Sequence, residues 1–209
     1  TLQRIYRSGQ YLLSLINNIL LVTKLDAQEV GVYNVCFNLW VMLQDLATDL
    51  TPQAAAKHLA FTITPLNDLP GYVYADESKL RQVLTSLLGN AIKFTQAGQV
   101  TLQVEAIPPD PEAAPESDQW ILQFDIADTG PGIPPNWLIL DEDPFLQADF
   151  SSQEQQGRGL GLHISHEYVR LIGGELTYHS NQNQGTYFRF KVPVVVAAQL
   201  ITTTKIEAS

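Results

Sequence analysis

Ser86, Asn90 and Lys93 follow one another at spacings of four and three, which on a helix sets them in one stripe. A hydroxyl, an amide and an ammonium on one face suit a metal–phosphate group. The amide oxygen can ligate a hard cation, and the ammonium offsets phosphate charge. The same residues also fit a plain solvated helix face. Two glycine clusters bear on the choice. Gly130 and Gly132 follow Asp128 in DTGPGI, and Gly157, Gly159 and Gly161 precede a helical pattern in GRGLGL. Glycines at a helix N-terminus let backbone N–H groups approach phosphate oxygens. Each cluster alone also fits turn glycines. There is no P-loop pattern, and the first cluster does not open a helix as a dinucleotide fingerprint does.

The elements that must hold these residues can be read from periodicity. Leu80, Val83, Leu84, Leu87, Leu88 and Ala91 form the apolar stripe of a core-facing helix over 76–95, with Asp76 as its N-cap. Asp128 ends a strand in which Trp120, Leu122, Phe124 and Ile126 alternate. Val100, Leu102 and Val104 alternate in an antiparallel partner. The connection PPDPEAAPESD is a Pro-rich acidic excursion, and residues 134–156 form a long polar lid or loop. From Leu160 a helix resumes with Ile164, Tyr168, Leu171 and Ile172 on one face, stopped by Gly173 and Gly174. Strands over 176–180 and 186–192 close as a hairpin.

Before these come a short strand at Val35 to Phe37, a helix from Asn38 to Leu50 ended by Thr51-Pro52, a strand through Leu59, Phe61 and Ile63, and a strand over 72–75. Residues 1–26 read as one long helix of about 37 Å. Its seam of Leu2, Ile5, Gly9, Leu12, Ile16, Ile19 and Thr23 predicts a helical bundle. The expected division is a bundle helix and linker over 1–30, one α/β domain over 31–193, and a tail over 194–209.

Of 209 residues, 45% are hydrophobic and 16% charged, enough apolar matter for a sizeable core. The net charge of −10 comes without any basic stripe, so nucleic acid is not an expected partner. No apolar run reaches the roughly 18 residues of a membrane span. The lone Cys36 cannot form an intramolecular disulfide and is expected to be a buried small residue. With neither an initiator Met nor a leader pattern, the chain looks like a piece of a longer protein.

Taken together and in this order, the motifs resemble the ATP-binding domain of sensor histidine kinases, within the superfamily that includes gyrase and Hsp90 ATPase domains. LRQVLTSLLGNAIKFT resembles the N box, DTGPGI and GRGLGL the two glycine boxes, PFLQAD the F box of the lid, and the first helix the second helix of the dimerisation and phosphotransfer hairpin. The fold this implies is an α/β two-layer sandwich, a mixed sheet of about five strands with three helices on one face, preceded by one long bundle helix. Hybrid kinases, which carry a downstream receiver, are among the members it resembles.

The resemblance implies ATP and Mg²⁺ as cofactors. Asn90 would ligate the metal, Lys93 would contact a phosphate, and Phe94 would lie near the sugar or base. Asp128 would accept from the adenine amino group, Gly130 and Gly132 would let the backbone pass the base, and Ile133 would give apolar contact. Phe145 would anchor the closed lid. Gly157, Gly159, Leu160, Gly161 and Leu162 would shape the lid hinge and the phosphate-facing helix start, and Thr186 would support Asp128. A homodimer through the bundle helices, a response-regulator receiver as partner and a cytoplasmic setting follow from the same likeness.

Two departures matter. Ser86 stands where a second Asn is common, implying weaker nucleotide affinity. Relatives that hydrolyse ATP carry a Glu there, and a hydroxyl cannot replace that base. The acceptor histidine belongs to a helix the sequence does not contain. His58, His163, His166 and His179 remain, and His163 and His166 are expected to be structural or solvent-facing. A nucleotide-binding regulatory module without transfer activity is the alternative.

Overall fold

The computed structural model describes residues 9, 13, 16–25, 27, 29–110, 119–133, 160–181 and 184–197. The expectations for residues 1–8, 111–118, the lid with Phe145, Gly157 and Gly159, and the tail beyond 197 lie outside them, as does the Leu160 side chain.

Helix α1 occupies residues 16–25. After a linker come β1 (Val35–Asn38), α2 (Leu39–Ala55), β2 (Ala60–Pro65), β3 (Tyr72–Ala75) and α3 (Glu77–Phe94). Then follow β4 (Gln99–Ile107), β5 (Gln119–Asp128), α4 (Leu160–Leu171), β6 (Glu175–Ser180) and β7 (Thr186–Val196). The sheet has seven strands, where the sequence suggests about five. Its order is β1-β3-β7-β5-β4-β2, with β6 pairing the first half of β7, and β2–β4 is a parallel pair. The layers are otherwise as expected: α2, α3 and the buried Val169 of α4 cover one face. Val100, Leu102, Val104, Leu122, Phe124, Ile126, Phe188 and Phe190 point into that core. The Phe124 and Phe190 rings stack at 4.7 Å between centroids.

Four local expectations change. Helix α2 runs through Pro52 to Ala55, because buried Leu50 and Ala54 hold its last turn to the core and only one late hydrogen bond is forfeited. Strand β7 continues to Val196, where Val195 pairs with both Gln119 and Tyr74. Cys36 is exposed, since β1 is an edge strand and Cys36 sits opposite exposed Tyr74 on the uncovered face. Helix α4 is packed on two sides. Val169 is buried in the main core, whereas Ile164 meets Val22 of α1, flanked by Leu21 and Tyr168, and Leu171 is exposed. Among the described residues no helix is long and apolar enough to cross a membrane.

The sheet's uncovered face carries a buried carboxylate. Asp125 accepts from Arg189 Nε at 2.6 Å, Tyr187 Oη at 2.6 Å and Gln123 Nε2 at 3.0 Å. Burial alone would raise its pKa. The Arg189 and Tyr187 hydrogen bonds outweigh that and hold it below the usual carboxylate range, while Tyr187 is pushed up to about 12 by burial and by Asp125. A depressed carboxylate stabilises the fold above its unfolded pKa of about 3.9, and that contribution disappears as pH falls through the lower folded value. Asp125→Ala is expected to cost about 2 kcal/mol at neutral pH. Urea unfolding should show the deficit shrinking in acid; a deficit independent of pH would contradict the assignment.

Candidate functional site

Helix α3 is fixed at both ends. At its start Asp76 is buried and works as the N-cap: Oδ1 accepts from Lys79 N at 3.1 Å and Ser78 Oγ at 2.9 Å, and Oδ2 from Lys79 Nζ at 2.6 Å and the linker's Tyr33 N at 2.9 Å. Burial would raise this carboxyl, but the Lys79 ammonium and the backbone N–H groups of Tyr33 and Lys79 hold it low. Lys79 lies between the Tyr33 and Tyr168 rings, 5.6 and 5.8 Å from their centroids. At the other end Lys57 Nζ donates to the carbonyls of Ile92 (2.8 Å), Lys93 (2.6 Å) and Thr95 (2.9 Å). An ammonium there satisfies orphan carbonyls and the negative helix end together. It is delivered by the tight α2–β2 turn, in which His58 is left-handed at φ 57°.

So held, α3 turns Ser86 and Asn90 toward the first turn of α4. Ser86 Oγ donates to Gly161 O at 3.2 Å, and Ser165 Oγ donates to the same carbonyl at 2.8 Å. A Cβ on Gly161 would lie 3.2 Å from Ser86 Oγ and 3.8 Å from Asn90 Nδ2. Lys93 is exposed one turn further on, its ammonium 5.0 Å from the Phe94 ring centroid.

The sheet supplies the second wall. Antiparallel register sets Ser180 opposite Thr186 and Thr186 opposite Asp128, one row on the helix-covered side. Asp128 Oδ1 accepts from Gly130 N at 2.8 Å. Burial raises the Asp128 pKa, and the Gly130 N–H bond works against that rise. Ser180 Oγ lies 3.2 Å from Thr186 Oγ1 and accepts from Ile133 N at 2.7 Å, so the DTGPGI turn is tied to the β6–β7 hairpin. Gly132 has φ 73°, and a Cβ there would fall 2.2 Å from Asn181 O, so the turn accepts only glycine.

The family described as histidine kinase-, DNA gyrase B-, and HSP90-like ATPase matches residues 75–196, which hold both walls and more than half of the chain. The chain belongs to this family. Within it, the likeness is to catalytic domains of two-component sensor histidine kinases. The sensory/regulatory protein RpfC of Xanthomonas campestris pv. campestris is 33% identical over 204 residues, 97% of this chain and 27% of RpfC. The signal transduction histidine-protein kinase BarA of Escherichia coli is 35% identical over 192 residues, 91% of this chain and 20% of BarA. The chain thus spans about a quarter or less of these relatives. The crystal structure of full-length ShkA in complex with AMPPNP aligns with a TM-score of 0.74 at 32% identity, covering 94% of this chain and 40% of ShkA.

In this ATPase-family domain, the residues singled out from sequence fall into two groups: Ser86, Asn90, Gly161 and Leu162 where α3 meets α4, and Asp128, Gly130, Gly132, Ile133 and Thr186 at the strand ends. Lys93 and Phe94 sit at the end of α3. Phe145, Gly157 and Gly159 lie outside the described residues. Sequence reasoning missed Ser180, Thr95 and Lys57. The first enters through register, which the hairpin length alone does not give; the other two enter through the end of α3. The donor set suits Mg²⁺-nucleotide: a carboxylate beside a buried hydroxyl without a partner, Thr95 Oγ1, and an amide beside a helix start. No group of three His, Cys, Asp or Glu able to hold a metal occurs among the described residues, those around His163 and His166 included; His166 Nδ1 pairs with Glu167 at 3.3 Å.

Proposed function

We propose that the chain is the catalytic portion of a two-component sensor histidine kinase. It binds Mg·ATP in the cleft between α3, the DTGPGI turn and α4, and moves the γ-phosphoryl group to a histidine of a dimerisation domain, for relay to a response regulator. The observation that carries this is the placement of Asp128 with Thr186, an acceptor for an amino-purine edge, in the same fold that turns Asn90 toward the start of α4. AMPPNP in the full-length ShkA structure supports the nucleotide class. Mg²⁺ would be held by Asn90 and would neutralise charge on the transferring phosphoryl group. Asp128 selects the base, Gly130 and Gly132 let the main chain approach it, and Ser86 holds Gly161 so that α4 presents its first turn. Ser86 has no basic group, which disfavours steady hydrolysis.

Residues 1–30 are assigned to the dimerisation helix and linker, 31–193 to catalysis and 194–209 to a tail. The exposure of Leu13, Ile16, Ile19 and Leu20 supports a second copy as partner for α1. Incubated with Mg·[γ-³²P]ATP, the chain should bind nucleotide without labelling its own histidines, and should label a hairpin bearing an acceptor histidine supplied in trans. Label on His58, His163, His166 or His179 would contradict the acceptor assignment, and failure to bind Mg·ATP would remove the proposal. Binding without transfer to the hairpin would favour a regulatory module.

A further inference from the structure

Thr95 closes α3, is fully buried, and carries one of two buried side-chain polar atoms without a hydrogen-bond partner among the described residues; the other is His163 Nε2. An unpaired buried hydroxyl is costly unless something completes it. Its surroundings say what does. A Cβ built on Gly130 would lie 3.0 Å from Thr95 Oγ1 and 2.8 Å from Asp128 Oδ1, so hydroxyl and carboxylate flank the same backbone unit. The Thr95 main chain is held from both sides, its N–H donating to Ala91 O at 3.0 Å and its carbonyl accepting from Lys57 Nζ at 2.9 Å. The hydroxyl therefore cannot leave by a slide of the helix end.

We propose that Thr95 is a positioning residue of the base subsite, its hydroxyl donating to Asp128 so that the carboxylate is aimed at, and kept ionised for, the exocyclic amine of an adenine nucleotide. This rests on the nucleotide-site assignment above. Beyond Gly130 N–H and the Thr95 hydroxyl, the carboxylate keeps a lone pair for one more donor, which the 6-amino group of adenine supplies where guanine carries a carbonyl oxygen. The geometry also gives the hydroxyl a use that a merely structural threonine lacks. A bond from the Thr95 hydroxyl favours the ionised form of Asp128 against the burial that raises its pKa. The charged groups on the packed elements are engaged elsewhere, Lys57 with the three α3 carbonyls and Lys93 over Phe94.

The test compares Thr95→Val, which keeps the shape, with Thr95→Ser, which keeps the hydroxyl. Two readouts are needed: calorimetric affinity for ADP against GDP, and the titration midpoint of the ¹³C-labelled Asp128 carboxyl in the nucleotide-free protein. Thr95→Val should lose about tenfold in ADP affinity and raise the midpoint, whereas Thr95→Ser should match the wild type in both. Thermal melting checks folding, and if the valine variant does not fold, Thr95→Ala takes its place. An unchanged midpoint in a folded hydroxyl-free variant overturns the proposal, even if affinity falls. A wild type that binds neither nucleotide overturns the nucleotide assignment instead, while the midpoint still decides whether Thr95 bonds Asp128.

Discussion

Asp128→Asn is expected to lower adenine-nucleotide affinity about a hundredfold, close to 3 kcal/mol, while leaving the fold as stable as the wild type or more so. The two effects have one cause. Burial raises the Asp128 pKa, so the folded chain prefers this carboxyl protonated. A group raised in this way contributes stability in acid and loses it as pH rises through the folded pKa, so at neutral pH the ionised form is a net cost to the fold. Asparagine removes that charge and still offers an amide oxygen to Gly130 N–H. What it loses is the acceptor-only character of the carboxylate, because the new amide presents N–H donors toward the base. Calorimetry with ADP and a thermal melt of the same sample check both halves. Wild-type affinity should itself decline as pH falls, from a point above the ordinary aspartate range. A variant that binds ADP as tightly as the wild type would remove Asp128 from the site.

Where the sequence was legible, one residue's surroundings were set by its own element. The stripe from Leu80 to Ala91 is buried throughout, because a helix with so regular an apolar face has one way to lie on a sheet. Asp76 and Asn38 were legible as caps, since a cap bonds to a backbone three residues away. The misses all depend on a second element. Cys36 looks like core until β1 proves to be an edge. Val169 shares a helix turn with polar residues, and only the packing of α4 on both the main core and Val22 reveals its burial. Ser180 joins Asp128 through two strand registers, and Lys57 reaches the end of α3 from the α2–β2 turn, in which His58 is left-handed. The base subsite was therefore half visible: Asp128 and Thr186 by motif, Ser180 and Thr95 by topology alone.

Asn90→Ala should abolish the Mg²⁺-dependent share of ATP binding and reduce phosphoryl transfer about a hundredfold or more, with adenine recognition intact. Asn90 is half-buried on a helix tied down by Asp76 and Lys57, so its amide is held in place before any ligand arrives. Alanine is the best helix former and sits at a position outside the buried stripe, so the substitution should not weaken α3. The loss can then be charged to the missing ligand rather than to a damaged fold. In excess chelator the wild type and the variant should bind ATP alike, through Asp128 and its neighbours. As Mg²⁺ is added, only the wild type should tighten. Parallel Mg²⁺ titrations that tighten equally would show that Asn90 does not touch the metal, and would leave Lys93 and the first turn of α4 as the groups to test for phosphate contact.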